Sequence, residues 1–519
     1  MSIVFVGLPA SGKTTIGAAV AARLGVTWLD TDTMVEDYTG QAITEIFADD
    51  GEARFRELEE RAAAEALRMA EVVCLGGGAV MTPSIRAMLG DHRVVWLDVS
   101  VTTLTRRAGM NRLRPLLLTD VRAQMTQLAS ERLPVLAEVA TWRVDAERGV
   151  DDVVDEILSL VCPAQTIRVA GEQPYDVLIG WGVSSQIADH LGQAAMTAII
   201  YPEVLAERAR HLAQRVPGPI LLRVPDAEHA KTAEILDQCW NEVARAGLTR
   251  SDAVVSVGGG ATTDLAGFVA ATYLRGIRHV CVPTTVLGMA DAAVGGKTGI
   301  NLPVGKNLVG AFHEPAAVLC DLDLLAGLPT VQVRSGLAEV LKCGFIADPV
   351  ILESVGRDPR DACDTQSDAF VDQLARAISV KARVVSTDFK ETGVGGVGRE
   401  ALNYGHTLGH AIEKLEGFTW PHGNAVAVGM VFAAEVAHRL GMIDADTLAL
   451  HRTVLESVGL PIVYSGAGWA EVRSTMSLDK KSRGSHLRLV LLQGIGHPVV
   501  VADVDDTVLH QAFEAIGGV

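Results

Sequence analysis

The chain opens on "SIVFV" (residues 2–6), a short run without charge that ends at a glycine, and this pattern predicts a strand buried in a parallel sheet. Helix-like and strand-like stretches then alternate: "TIGAAVAARLG" (15–25), "VVCLGGG" (72–78) and "RVVWLDV" (93–99). Such alternation is the mark of an α/β domain. The amphipathic "VDDVVDEILSLV" (150–161) reads as its closing helix; Pro163 breaks the pattern, and "TIRVA" (166–170) begins a new strand. Residues 166–320 are rich in short Val/Ile runs and glycine turns, among them "AVVSVGGG" (253–260) and "HVCVPTT" (279–285). Beyond about 321 the strand signals thin, and helical patterns such as "VRSGLAEVLKCGFI" (333–346) and "AVAVGMVFAAEVAHRLG" (425–441) dominate. The pattern therefore predicts three domains: α/β over 1–164, α/β over 165–320, and mainly helical over 321–519.

A length of 519 residues agrees with several cores rather than one. The formal charge of −18 provides no basic field for nucleic acid, so an anionic substrate must be captured by local Lys/Arg clusters. Seven cysteines show no short paired spacing, which fits a reduced, cytoplasmic protein without a disulfide framework. No run of about 18 apolar residues predicts a membrane span, and "MSIVFVGLPA" lacks the basic start of a signal peptide.

Two stretches carry chemistry of different kinds. "GLPASGKT" (7–14) matches G-x-x-x-x-G-K-[ST] between a predicted strand and a predicted helix. Gly7 and Gly12 let backbone N–H groups surround phosphate oxygens, Lys13 reaches the β/γ-phosphates, and Thr14 ligates Mg²⁺. In "LDTDT" (29–33), strand alternation places Asp30 and Asp32 on one face, one carboxylate available to Mg²⁺ and the other to a substrate hydroxyl; two solvated turn aspartates are the plain alternative. Gly76–Gly78 follow a strand and admit a ligand close to bare backbone, and Arg112 and Arg114 fall near a predicted loop.

The second stretch is "LNYGHTLGHAIEKLEGFTWPHG" (402–423). On a helix His406 and His410 share a face, and His422 folds back after Pro421. A catalytic zinc site takes three protein ligands, so the histidine pair invites a metal; ordinary core or surface histidines are the alternative. Gly258–Gly260, after a strand and before a helix, can admit a pyrophosphate although G-x-G-x-x-G is absent, and Glu228 in "VPDAEHAK" (224–231) is available to a ribose diol.

Residues 1–162 resemble shikimate kinase through the P-loop, "LDTD", "FR" (55–56), "GGGAV", "RPLL" and "ERLPVL" (131–136), in that order. The resemblance implies ATP- and Mg²⁺-dependent phosphorylation of the shikimate 3-hydroxyl. It implies Asp32 on the shikimate hydroxyls, Asp30 beside Mg²⁺, Arg56 and Arg132 on the carboxylate, and Gly77 and Gly78 against the ring. Arg114 would cover the transferring phosphate, Arg107 would flank adenine, and Thr15 would join the P-loop contacts. One departure is Leu136, where that family often has tyrosine.

Residues of roughly 170–500 resemble 3-dehydroquinate synthase through "GGGATTDLAGFVAATYLRG", "VPTTVLGMADAAVGGKTGIN", "GKNLVGAFHEP", "GLAEVLKCGFI" and "NYGHTLGH". The resemblance implies NAD⁺, a divalent Zn²⁺ or Co²⁺, and cyclisation of 3-deoxy-D-arabino-heptulosonate 7-phosphate. The steps are transient oxidation of a secondary alcohol, loss of phosphate, return of the hydride, ring opening and an intramolecular aldol. Its implied metal ligands are Glu339, His406 and His422, with His410 moved to the substrate phosphate. Lys297, Asn307, Asn403 and a lysine of "DKK" (Lys480 or Lys481) join that phosphate set, and Lys342 faces the pocket. Lys381 and Arg399 would face the substrate carboxylate, and Asp291 lies where that family contacts cofactor and substrate. By the same resemblance Lys231, Gly259, Gly260, Asp264, Thr284, Thr285 and Lys306 would hold NAD⁺. Arg275 would reach across a homodimer interface. The departure is "KETGVGGVGRE" (390–400), a longer and more glycine-rich loop than that family's, just before Arg399.

Overall fold

The computed structural model describes residues 1–110, 118–389, 397–478 and 487–518. It divides into two compact units, Met1–Pro163 and Ala164–Val519. In the first, five strands form one parallel sheet: β1 Ile3–Val6, β2 Trp28–Asp30, β3 Val72–Cys74, β4 Arg93–Asp98 and β5 Trp142–Asp145, in the order β2-β3-β1-β4-β5. Val4, Phe5, Val73 and Val95 are fully buried, as strands covered on both faces require. Gly12, in the left-handed region at φ 96°, turns the chain from the phosphate loop into the helix Lys13–Leu24.

Asp30 and Asp32 do not share a strand face. β2 stops at Asp30, which caps the helix Thr31–Thr39 by accepting from the backbone N–H groups of Asp32 and Thr33; Asp32 lies in that helix's first turn. An aspartate able to satisfy the helix's unpaired donors has overridden the period-two reading.

The second unit opens with a seven-stranded sheet. Its strands are β6 Gln165–Val169, β7 Tyr175–Gly180, β8 Thr197–Pro202, β9 Pro219–Val224, β10 Ala253–Gly258, β11 Arg278–Pro283 and β14 Ala317–Asp321, in the order β6-β7-β14-β11-β10-β8-β9. Only β6 runs antiparallel to its neighbour. Adjacent residues feed opposite cores: Ile199 and Val255 on one face, Ile200 and Val254 on the other. β12 Lys297–Leu302 and β13 Gly305–Phe312 form a separate hairpin.

The helices Thr330–Ile346, Asp368–Thr387, His406–Leu415 and His422–Arg439 follow, with one late hairpin, β15 Arg488–Leu492 and β16 Pro498–Ala502. Two glycines set how closely these helices meet. A Cβ on Gly423 would stand 1.8 Å from the Ser335 carbonyl oxygen, and one on Gly429 would stand 1.9 Å from that of Gly405. Any side chain there would push the helix His422–Arg439 off the helices that begin at Thr330 and His406. Among the described residues no helix is long and apolar enough to cross a membrane.

Candidate active sites

In the first unit a cavity of about 850 Å³ is lined by Gly12, Lys13, Thr14, Thr15, Asp30, Asp32, Arg56, Gly77, Gly78, Arg107 and Arg132, and by Glu59. Lys13 Nζ donates to the Gly7 and Leu8 carbonyls at 3.1 and 3.2 Å, so its ammonium lies folded along the loop. Burial pulls the Lys13 pKa down, against Asp32 and Asp30. Thr14 Oγ1 donates to Asp30 Oδ2 at 2.7 Å, which unites the two groups expected at Mg²⁺. Burial, reinforced by Asp30, raises Asp32 to about 6.

The far end of this cavity is shaped by bare backbone. A Cβ on Gly76 would fall 2.4 Å from Asp32 Oδ1, and one on Gly78 would fall 2.9 Å from Arg56 Nη1. Arg132 donates to the Gly77 carbonyl at 2.6 Å. Arg107 donates to the carbonyls of Ser11 and Ala146, beside the phosphate loop. Arg56 is held by Glu59 at 2.6 Å, a carboxylate only 1% exposed that sequence reading passed over. Its signal was the i,i+3 spacing in "FRELEE", which puts Glu59 one turn from Arg56. Arg114 lies outside the described residues, as does Arg112.

In the second unit Glu339, His406 and His422 each offer a ligand atom to one point. Glu339 sits on the helix Thr330–Ile346; His406 and His422 are the first residues of their helices. Nε2 of His406 stands 3.4 Å and Nε2 of His422 3.5 Å from Glu339 Oε1, a buried atom without a hydrogen bond. The far nitrogens are held: His406 Nδ1 lies 3.1 Å from the Tyr404 carbonyl, and His422 Nδ1 lies 3.1 Å from Glu413 Oε2. An imidazole whose Nδ1–H is so engaged presents the Nε2 lone pair, as a metal ligand must. The orphaned carboxylate oxygen and two aimed imidazoles fit a divalent ion. Glu339 Oε2 is taken by Lys342. Although burial opposes it, Lys342, His406 and His422 hold the Glu339 carboxyl far below its usual range.

His410 is exposed one turn along from His406, their rings 5.3 Å apart, and His410 can also group with Glu413 and His422. Lys381 donates to the Asp291 carboxylate and carbonyl. Against burial, Lys381 and Lys342 bring Asp291 down to about 2. Arg399 is buried, donating to the carbonyls of Phe389 at 2.8 Å and Gly295 at 3.1 Å. Asn403 is half-buried just before the histidine helix, Lys297 is exposed at the start of β12, and Lys480 and Lys481 lie outside the described residues.

On the nucleotide side, Gly259 caps the helix Gly260–Thr272 with no side-chain hydrogen bond to its first N–H groups. A Cβ on Gly260 would lie 2.9 Å from that of Ala292. The Thr284 N–H donates to the Gly258 carbonyl, and Thr285 Oγ1 accepts from the Gly288 N–H. Lys231 is 2% exposed, paired with Asp264 at 2.6 Å and donating to Asn307 Oδ1. Asn307, expected among the phosphate contacts, is thus drawn to the nucleotide-side lysine. Glu228 accepts from Asn301 at 2.6 Å, and Lys306 pairs with Glu413 at 3.2 Å. Arg275 stands exposed at a turn where Leu274 and Arg275 both take left-handed backbone.

Comparison with known proteins gives each unit its own matches. Residues 9–162 match the family profile of shikimate kinase. Residues 221–335 and 336–482 match the N-terminal and C-terminal profiles of 3-dehydroquinate synthase. The 3-dehydroquinate synthase of Streptomyces avermitilis is 52% identical over 353 residues, 67% of this chain and 96% of that protein. That of Thermobifida fusca is 52% identical over 351 residues, covering 67% and 94%. Among solved structures, 2-epi-5-epi-valiolone synthase from Streptomyces hygroscopicus, with NAD⁺ and Zn²⁺ bound, matches at TM-score 0.62 and 25% identity, over 68% of this chain and 99% of that one. A 2-deoxy-scyllo-inosose synthase complexed with carbaglucose-6-phosphate, NAD⁺ and Co²⁺ matches at 0.60 and 26% identity, over 68% and 100%.

Proposed function

The chain belongs to the 3-dehydroquinate synthase family and carries a shikimate kinase domain ahead of the synthase, and from that premise we propose how its residues divide the two reactions. It is a bifunctional enzyme of the shikimate pathway, acting on small molecules at both sites.

In the kinase, Lys13, the loop N–H groups and the following helix N-terminus hold ATP phosphates, Thr15 and Arg107 flank the nucleotide, and Thr14 with Asp30 holds Mg²⁺. Arg56, kept in place by Glu59, and Arg132 bind the shikimate carboxylate. Asp32 accepts the proton of the attacking hydroxyl; its pKa of about 6 suits a base working near neutrality.

In the synthase, Glu339, His406 and His422 hold Zn²⁺ or Co²⁺, and the glycine turn 258–260 with Lys231, Asp264, Thr284, Thr285, Lys306 and Glu228 holds NAD⁺. When bound, the dinucleotide supplies a reversible hydride acceptor and the ion a Lewis acid at the alcohol oxygen. Lys381 and Arg399 bind the substrate carboxylate, and Asp291 orients the Lys381 ammonium. Lys297, Asn403 and His410 meet the phosphate. Lys342, beside the ligand carboxylate, stabilises negative charge on the substrate. The observation that carries this reading is the bare Oε1 of Glu339 between two Nε2 atoms. The charge of −18 supports small anions met by local cations rather than nucleic acid or a membrane. The enzyme works in the cytoplasm as a homodimer through the synthase, with Arg275 at the interface.

The test is to supply each substrate separately and follow ADP and inorganic phosphate. Cyclisation should release phosphate with NAD⁺ needed only in catalytic amount, since hydride is taken and returned in one turnover. NADH accumulating in step with product would instead mark a dehydrogenase.

A further inference from the structure

Glu413 belongs to neither set of assigned residues, yet it touches both. It lies 5% exposed on the helix His406–Leu415, and its two oxygens serve different partners. Oε2 stands 3.1 Å from His422 Nδ1, and Oε1 stands 3.2 Å from Lys306 Nζ. His422 opens the next helix, and Lys306 comes from β13 in the distant hairpin, its ammonium also 4.1 Å from the Phe418 ring centroid. One buried carboxylate therefore bridges a metal-side imidazole and a nucleotide-side lysine.

We propose that Glu413 is a positioning residue that joins the two sites, fixing His422 with Nε2 toward Glu339 while holding Lys306 on the dinucleotide side, so that metal and NAD⁺ affect each other's affinity. The inference rests on the ligand set proposed above. An imidazole shares one proton between two nitrogens, and an anionic acceptor on Nδ1 both orients the ring and makes Nε2 a better donor to an ion. Lys306 and His422 share one carboxylate through its two oxygens, so a change at one alters the hold on the other. The alternative grouping of His410, Glu413 and His422 as a second ion site would require His422 Nδ1 to give up the hydrogen it points at Glu413, while Lys306 already occupies the other oxygen.

Glu413→Gln tests this with little change of shape, because an amide has one acceptor where two donors need one each. On the full-length enzyme, Zn²⁺ dissociation constants come from chelator competition, NAD⁺ constants from calorimetry, and ligand geometry from the visible spectrum of the Co²⁺ form. Glu413→Gln should weaken Zn²⁺ roughly 10- to 100-fold and alter the Co²⁺ spectrum. Its effect on NAD⁺ should be non-additive with that of Lys306→Met, and the dependence of NAD⁺ affinity on Zn²⁺ should shrink. An unchanged Zn²⁺ constant in the folded variant, additive effects on NAD⁺, or a second Zn²⁺ per chain that His410→Ala removes would each overturn the proposal. If Glu413→Gln does not fold, Lys306→Met decides, since it spares every ligand: it should shift the Zn²⁺ constant at least about fivefold, and no shift sinks the link. Retention of metal by His422→Ala would overturn the ligand set itself; loss there with no effect of Glu413→Gln would overturn only this inference.

Discussion

The two sites meet anionic substrates by opposite constructions. In the kinase the proposed phosphate end of the site is mostly backbone, a glycine loop, a helix N-terminus and one lysine resting on the carbonyls of Gly7 and Leu8, and the paired Arg56 and Glu59 stand apart from it. In the synthase four lysines each rest on a carboxylate: Lys231 on Asp264, Lys306 on Glu413, Lys342 on Glu339 and Lys381 on Asp291. A backbone site binds phosphate wherever the chain is bent correctly, and a contiguous motif encodes that bend. A site of paired charges exists only once distant elements have packed. Removing one member of a buried pair strands the other, at a cost of roughly 3–5 kcal/mol, so the synthase site is the more exposed to mutation in its stability as well as its chemistry.

The largest effect should follow the removal of one cation from the kinase. Lys13→Ala deletes a proposed phosphate contact from a unit with its own sheet and core, so phosphorylation of shikimate should fall at least about a thousandfold. Cyclisation should stay within about twofold, as for independent sites. ADP release and phosphate release, measured on one preparation, give both numbers. Loss of cyclisation in the folded variant would mean that the two sites are not independent.

A smaller effect separates the histidines. His406→Ala and His422→Ala each delete a proposed ligand and should lose bound Zn²⁺ by elemental analysis. His410→Ala should keep the ion and lose roughly 10- to 100-fold in turnover, the scale of one charge-assisted substrate contact. Metal lost from His410→Ala but kept by His422→Ala would show that the ligand set is wrongly assigned, since His422 belongs to both possible groupings.

What sequence reading recovered follows the same contrast. The phosphate loop and its strand and helix were legible because the motif is contiguous and its glycines have one physical job. Asp30 and Asp32 were misplaced because strand alternation was extended across a helix cap, a local competition that period-two patterning does not contain. In the synthase, spacing alone favoured the helical pair His406 and His410, since i,i+4 neighbours share a face. Only the close crossing at Gly423 brings His422 onto Glu339, 83 positions earlier in the chain. Glu59 and Glu413 escaped for a common reason: each lies one turn from a residue of interest, and a carboxylate on a helix reads as solvated until its burial is known.

The smallest effect on activity should come from cutting the chain between the two units. The helix Val150–Val161 buries Val153, Val154, Ile157, Leu158 and Val161, and Asp155 pairs with Arg23 of the helix Lys13–Leu24 at 2.9 Å, while β6 pairs with β7. Each side thus closes on its own apolar residues, so fragments 1–164 and 165–519 should retain phosphorylation and cyclisation within about twofold. Acid should then distinguish them. The first fragment has one histidine, the half-buried His92, whereas the second encloses His279, lowered to about 3 by burial and by His313, and His451, lowered to about 4 by burial. Between those values and 6.5 the unfolded chain binds protons that the folded one does not, so stability falls as pH falls through this window. From pH 6.5 to 5 the two groups together remove roughly 3 kcal/mol from the synthase fragment, by their shifts alone. Thermal unfolding of both fragments across that range checks the sign. A synthase fragment no more acid-sensitive than the kinase fragment would mean that its buried imidazoles meet water in the native state.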